Sequence, residues 1–158
     1  MASRTGKAVR ELKLGVEVNR AAGDILTGAQ VALFNVVGGD ILLTGLRMEV
    51  STAAVDADAN NTQFLTNPTV GADMPLCAVL NVISAAVGAT FSITGLITDA
   101  MTGPVAGGGA MFANRPIIVP VGTIDILSAA DGNNGGGSTQ SVDLWYIPLD
   151  DGAYVTAT

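Results

Sequence analysis

The sequence predicts an all-β protein, an antiparallel β-sandwich or jelly roll of about eight strands with a basic N-terminal arm. Short apolar runs recur from residue 24 to the last residue. Gly, Pro, Asn and Asp separate these runs at the spacing of turns between strands. The chain of 158 residues is long enough to bury one real core. We therefore divide it into an arm, residues 1–23, and a single β-sandwich domain, residues 24–158.

Each predicted strand is an apolar run between turn residues. In order, they are Val31–Val37, Ile41–Val50, Thr62–Leu65, Leu76–Ser84, Ala89–Ile97, Pro116–Val119, Gly122–Ser128, Val142–Ile147 and Ala153–Thr158. Gly38-Gly39 separates the first two runs and predicts a tight β-hairpin between them.

The first 20 residues differ in charge from the rest of the chain. They hold five basic and two acidic residues, a net charge of 5 − 2 = +3, whereas residues 21–158 hold two basic and 12 acidic residues, 2 − 12 = −10. The arm is therefore predicted to lie on an acidic surface, either of a neighbouring copy or of a partner, through Arg4, Lys7, Arg10 and Lys13. A frayed, solvated terminus is the alternative. Helical and extended conformations of the arm both remain open.

The composition favours a subunit of an assembly. Charged residues are 13% of the chain and apolar residues 49%, whereas a typical soluble domain has roughly 25% charged residues. Three predicted strands, Ile41–Leu46, Leu76–Val82 and Pro116–Val119, are apolar on both faces. Because a sandwich strand normally turns one face to water, we expect a second copy of the chain to cover the other face.

Most catalytic and metal chemistry is excluded by what the sequence lacks. It has no His and one Cys, which excludes His-based triads, His-ligated metals, Cys clusters and an intrachain disulfide. Cys77 lies in an apolar run and is predicted to be a buried, inert thiol. We expect no enzyme activity, no cofactor and no metal.

Nucleic acid and membranes are not expected partners. The acidic body repels both nucleic acid and anionic lipid. The uncharged stretch Met74–Thr98 is interrupted by Pro75, Gly88 and Gly95, so it predicts a strand, a turn and a second strand rather than a membrane helix.

Three acidic loops are weak candidates for sites. Asp56–Asn61 matches the start of a calcium loop, but Asn61 stands where the motif needs Gly, so a polar turn is preferred. The loop Asp131–Gly135 is an equally weak ion candidate. Asp150 and Asp151 are adjacent carboxylates in a turn, where consecutive side chains point apart, so solvation is the preferred interpretation.

Two aromatic residues are candidates for a subunit interface. In the strand Val142–Ile147, Trp145 and Tyr146 are consecutive and point to opposite faces. One is therefore expected inside the sandwich, and the other facing a ligand or a neighbouring subunit. Because Trp and Tyr are enriched at the centres of subunit contacts, we predict an interface at Trp145 and Tyr146.

Several strand-and-turn signatures are shared with a known group of proteins. They are Ala59-Asn-Asn-Thr62, Leu65-Thr-Asn-Pro-Thr-Val-Gly71, Leu76-Cys77, Ile118-Val-Pro-Val-Gly-Thr-Ile124, Trp145-Tyr-Ile-Pro-Leu149 and Gly152-Ala153. Over residues 24–158 the chain resembles small structural proteins of tailed-bacteriophage virions. The resemblance implies a β-rich capsid decoration (cement) protein, commonly a homotrimer, bound to the major capsid protein on the outer capsid surface after assembly in the host cytoplasm. It assigns no site residues and does not include the arm.

Two other functions compete with decoration. A receptor- or glycan-binding head or tail-fibre component would display the Gly- and Asn-rich loops at an exposed tip. A small hydrolase would depend on Asp150 or Asp151, and the missing His opposes it.

If the arm binds the capsid, deleting residues 1–20 is expected to leave the body folded and to abolish attachment.

Overall fold

The computed structural model describes residues 6–56, 60–109, 115–132 and 137–158. In these residues, eleven strands form two antiparallel sheets, which confirms the predicted all-β sandwich. In chain order, the elements are α1 (Gly6–Leu14), β1 (Val16–Gly23), β2 (Gln30–Val37), β3 (Ile41–Val50), β4 (Asn61–Pro68), β5 (Met74–Pro75), β6 (Leu80–Asn81), β7 (Thr90–Ser92), β8 (Ile117–Val119), β9 (Gly122–Ser128), β10 (Gln140–Pro148) and β11 (Tyr154–Ala157).

The two sheets exchange strands along the chain. Sheet I has the order β1-β10-β3-β7, and β8 also pairs with β3. Sheet II has the order β11-β2-β9-β4-β5, and β6 also pairs with β4. The edge strands β1 and β11 contact each other, so one side of the sandwich is closed. Because β2 and β11 belong to sheet II while β3 and β10 belong to sheet I, the turns 38–40 and 149–153 cross from one sheet to the other.

The core lies between the sheets and follows the alternation of each strand. Phe34, Phe64 and Phe91 are fully buried in it. Among the described residues, three buried apolar side chains lie outside this interior cluster: Leu14, Leu65 and Trp145. The strand registers place Leu65 on the outer face of sheet II and Trp145 on that of sheet I. Each outer face therefore buries at least one large apolar side chain of its own.

The predicted hairpin at Gly38-Gly39 is wrong. β2 and β3 do not pair, because they lie in opposite sheets. Both glycines have positive φ, 81° and 156°, and the turn packs against the turn 149–153. There the Asp40 amide donates to Asp150 Oδ2 at 2.7 Å and the Leu149 amide donates to Asp40 O at 3.0 Å. A glycine pair suits this crossing as well as a hairpin, since both need backbone that only glycine adopts easily.

The predicted arm divides into two structures. Residues 6–14 form α1, and residues 16–23 form the edge strand β1, which pairs with β10. Gly15 joins them with φ +90°, in a conformation that ends the helix. The second half of the predicted arm therefore belongs to the sandwich, and a truncation that spares the sheets must stop at residue 14 rather than at residue 20.

Between residues 74 and 109 the strands are shorter than predicted. Within the predicted strands Leu76–Ser84 and Ala89–Ile97, only Leu80–Asn81 and Thr90–Ser92 form strands, and Ala78 and Ala89 make isolated bridges to Ala100 and Gly108. Buried residues such as Leu76 and Cys77 lie in irregular backbone between β5 and β6. An apolar run thus marks burial here without marking a strand, because loops as well as strands cover this part of the core.

The strands that were predicted to be apolar on both faces differ in what covers them. On the outer face of β3, Thr44 is buried and its hydroxyl donates a hydrogen bond to Leu14 O of α1, so the chain's own helix covers part of that face. Leu76–Val82 is not a continuous strand. On β8, Ile118 is 59% exposed and lies beside Leu42 of β3. Within the described residues, no helix has the length and apolar character to cross a bilayer.

Candidate interaction surfaces

A polar network crosses the outer face of sheet I. Asn19, Asp143 and Arg47 are register neighbours on β1, β10 and β3. Asn19 Nδ2 donates to Asp143 Oδ1 at 2.6 Å, and Arg47 Nε donates to Asp143 Oδ2 at 3.0 Å. Arg47 Nη2 also pairs with Asp143 Oδ2 and with Glu49 at 3.5 Å. Asp143 is only 7% exposed, so this network is a fixed part of the face rather than a set of mobile surface charges.

An open polar groove of about 470 Å³ lies beside this network. Its lining residues are small or charged: Arg47, Glu49, Gly88, Thr90, Ser92, Gly108 and Gly109. The Thr90 hydroxyl donates to Gly108 O at 2.7 Å, which holds the 108–109 segment against the sheet edge. The groove offers hydrogen-bonding groups and one cation that is already paired with carboxylates.

Trp145 and Tyr146 point to opposite faces, as the strand alternation requires. Tyr146 lies in the interior cluster, and its hydroxyl accepts a hydrogen bond from the Val155 amide at 3.2 Å. Trp145 lies on the outer face of sheet I, opposite Gly45 of β3. The two side chains are 5% and 4% exposed. Their role at a subunit interface stays a prediction. In the single chain, both side chains have little exposed surface with which to contact a neighbouring subunit.

The four basic residues predicted to make contacts all precede β1. Arg4 lies outside the described residues, Lys7 and Arg10 lie within α1, and Lys13 is an exposed residue of its last turn. α1 contacts β10 and β1 on the outer face of sheet I. The helix therefore places exposed Lys13 on that side of the sandwich.

Half of the exposed large apolar side chains of the described residues lie at one end of the sandwich. We call this the turn end, because the turns 38–40, 120–121 and 149–153 lie there. Its exposed apolar residues are Val16, Val37, Val70, Ile118, Val121, Ile147, Leu149 and Tyr154. Solvated single apolar residues are ordinary on protein surfaces, but a concentration of them marks an interaction site.

A second groove lies on the outer face of sheet II at the turn end. It has a volume of about 360 Å³, and we call it the outer groove. Its lining residues come from three strands (β2, β9 and β11) and two loops: Asn35, Val36, Val37, Thr69, Val121, Gly122, Thr123 and Thr156. A hydrogen bond of 2.9 Å from the Thr69 amide to Val121 O joins the two loops. This groove was not predicted from the sequence, since no local pattern connects residues 35, 69, 121 and 156.

The two weak ion candidates lie together at the opposite end of the sandwich. The Asp56 amide donates to Gly132 O at 3.0 Å, and Asn60 Nδ2 donates to Ala130 O at 3.0 Å. Residues 57–59 and 133–136 of these loops lie outside the described residues. The described part of the chain contains no group of three or more acidic, Cys or His residues placed to hold a metal ion.

The adjacent carboxylates Asp150 and Asp151 have different surroundings. Asp150 accepts the Asp40 amide and so links the two sheet-crossing turns. Asp151 is exposed in the same turn. The structure gives Asp150 a structural role in the turn and leaves Asp151 as a free surface charge.

Cys77 is fully buried, and its sulfur accepts the Phe64 amide at 3.4 Å. Burial raises the pKa of the thiol to about 11, and the hydrogen bond from Phe64 opposes that shift only partly. The thiolate is the reactive form. The thiol is therefore protonated and enclosed at neutral pH.

We expect Cys77 to react with a maleimide at pH 8 at least about 100-fold more slowly in the folded protein than in urea. Because the folded state holds this proton more tightly than the unfolded state, the thiol's contribution to stability is complete below pH 9.0 and is lost as the pH rises towards 11. Mass spectrometry of samples taken at timed intervals measures the rate at which the maleimide labels Cys77. Fast native labelling would contradict the burial of this side chain.

Comparisons with known proteins find no match to any family model, curated protein or solved structure.

Proposed function

We propose that the chain is a structural protein of a tailed-phage virion that decorates the capsid surface and stabilises the shell. It would do so through contacts with itself, as a homotrimer, and with the major capsid protein. The observation that carries the proposal is the concentration of exposed apolar side chains at the turn end of a sandwich with little charge. Such surface favours burial against a neighbour. The resemblance of residues 24–158 to phage virion proteins supports the same proposal.

The proposed mechanism is mechanical. Each bound copy buries apolar surface against its neighbours and against the shell. Because binding occurs only on the assembled shell, it stabilises that state by mass action and raises the force or temperature needed to open it. No single catalytic or ligand-binding residue is needed for this function.

Binding to undecorated heads tests the proposal. The purified chain is expected to sediment with expanded heads of the phage that encodes it, at a fixed ratio of copies to capsid subunits, and to raise the temperature at which the heads release DNA. The proposal would be contradicted if the heads pelleted with no chain bound to them when the chain is present at micromolar concentrations. An unchanged temperature of DNA release would also contradict it. Light scattering at low and high salt gives the mass of the free chain.

The open polar groove beside Arg47 favours a second candidate, a glycan- or receptor-binding virion component. Carbohydrate sites need several hydrogen-bonding groups in a concave surface, and Arg47, Glu49 and Thr90 supply them there. A glycan array separates the two functions. A specific glycan whose binding is lost in Thr90→Val would favour recognition over decoration.

A further inference from the structure

The helix α1 leaves its apolar side chains in solvent. Leu14 is buried, but Val9 is 55% exposed and Leu12 is 74% exposed. Val9 and Leu12 are three residues apart and therefore lie on the same side of the helix. A nine-residue helix is too short to be stable in water by itself, and helices of this length depend on burying an apolar stripe. In the single chain, the side of α1 that carries Val9 and Leu12 is thus not packed against another element.

The outer groove offers apolar surface of its own at its two exposed valines. Val37 and Val121 line it and are each 37% exposed. Asn35, Thr123 and Thr156, which are register neighbours across sheet II, line it as well. Docking the apolar side of an amphipathic helix into a groove is a recurring mode of recognition.

The charges of the two surfaces are also complementary. Residues 1–14 hold four basic residues and one acidic residue, 4 − 1 = +3, and residues 15–158 hold three basic and 13 acidic residues, 3 − 13 = −10. The acidic turn 149–153 adjoins the groove, because Tyr154 pairs with Val37. A Cβ added at Gly38 would overlap the carbonyl oxygen of Gly152, so the turn also touches the residue that follows Val37. Exposed Asp151 therefore lies near the wall of the groove.

We propose that α1 of one copy docks in the outer groove of a second copy, with Leu12 between Val37 and Val121 and Lys13 next to Asp151. Within one chain this contact cannot form, because α1 lies on the outer face of sheet I and the groove lies on the outer face of sheet II. The two sheets of a sandwich are about 10 Å apart. Each copy therefore donates a helix on one face and receives one on the other.

Such a contact is heterologous, so repeated contacts close into a ring or extend as a chain of copies. It rests on the proposed function in that it supplies the copy-to-copy contact of the proposed homo-oligomer. It also assigns the basic helix to a neighbouring copy rather than to the capsid, which separates the two alternatives left open by the sequence.

A mixing experiment with two variants tests the proposal. Leu12→Asp disables the helix and Val121→Asp disables the groove, and both sites are exposed, so the fold is expected to survive, as circular dichroism would verify. By light scattering, the wild type is expected to be an oligomer, and each variant alone is expected to be a monomer of 15.9 kDa. An equimolar mixture is expected to form a dimer and nothing larger, because only one intact helix and one intact groove remain per pair.

A charge exchange tests the contact between Lys13 and Asp151. Lys13→Glu and Asp151→Lys are each expected to raise the concentration for half-assembly on the order of tenfold, and the double variant is expected to restore it. The matched control is Asp99→Lys, an acidic site outside both surfaces, which is expected to leave assembly unchanged.

The outcomes separate this inference from the proposed function. A wild type that stays monomeric at all concentrations, single variants that keep the wild-type mass, or a mixture that stays monomeric would each overturn the docking of α1. If such a monomeric chain still bound phage heads, decoration would stand without this contact. An assembled chain that failed to bind heads would keep the contact and refute decoration.

Discussion

Trp145→Ala is expected to lower the free energy of unfolding of the single chain by about 3–5 kcal/mol. The side chain is 5% exposed on the outer face of sheet I, where α1 contacts β10. Removing the indole leaves a cavity beneath the helix, because Gly45 opposite it has no side chain to fill the space. Urea unfolding followed by circular dichroism, at protein concentrations low enough to keep the chain monomeric, measures the loss. Hydrogen exchange in residues 6–14 is expected to accelerate in the same variant.

Ile147→Ala is the matched control for this experiment. Ile147 lies two residues further along the same strand on the same face and is 42% exposed. Since less apolar surface is lost from burial there, the expected cost is about 1 kcal/mol. If Trp145→Ala instead kept the stability of the monomer and reduced only the mass of the assembly, the residue would act at a subunit interface, as the sequence alone predicted.

The strands of the two large sheets were predictable where alternation and turn residues agree. The range Gly122–Ser128 was predicted and observed with the same bounds. β10 and β11 differ from their predicted ranges by two residues at most at either end. In these segments the side chains alternate between core and outer face, so the period in the sequence reports the structure directly. The sequence period does not report the structure at Leu76 and Cys77, because these apolar residues enter the core from irregular backbone and not from a strand.

Partner strands were not predictable, because pairing is a property of the tertiary structure. Residues 31–37 and 41–50 read as the two halves of a hairpin, yet they belong to opposite sheets. The arm shows a related difficulty. Its apolar residues Val9, Leu12 and Val16 have helical spacing, but Gly15 ends the helix and Val16 begins an edge strand.

The candidate surfaces were predictable only in part. Charge alone identified the basic segment that contains Lys13, since clustering of charge is visible in the sequence. The outer groove was not predictable, because Asn35, Thr69, Val121 and Thr156 come together only when four strands adopt their order in sheet II. The aromatic pair was predicted to lie on opposite faces and does so, but its burial depends on tertiary packing: α1 contacts β10, and β11 supplies the Val155 amide to the Tyr146 hydroxyl.

Gly38→Ala is expected to destabilise the fold by about 3 kcal/mol, the sum of a left-handed backbone conformation and a steric overlap. Gly38 has φ +81°, and an added Cβ would overlap the carbonyl oxygen of Gly152. To relieve the overlap, the turns 38–40 and 149–153 must separate, which also weakens the hydrogen bond from the Asp40 amide to Asp150. Urea unfolding at equilibrium measures the change.

Gly152→Ala separates the two contributions. Gly152 has a similar φ of +87°, but an added Cβ there would meet no atom within 4 Å. Its expected cost is therefore only the backbone term of about 1–2 kcal/mol. Equal losses in the two variants would mean that the turns do not touch as described. A larger loss at Gly38 would show that glycine is required there by the contact between the two sheet-crossing turns as well as by the turn conformation. This requirement explains why a glycine pair here joins two sheets instead of closing a hairpin.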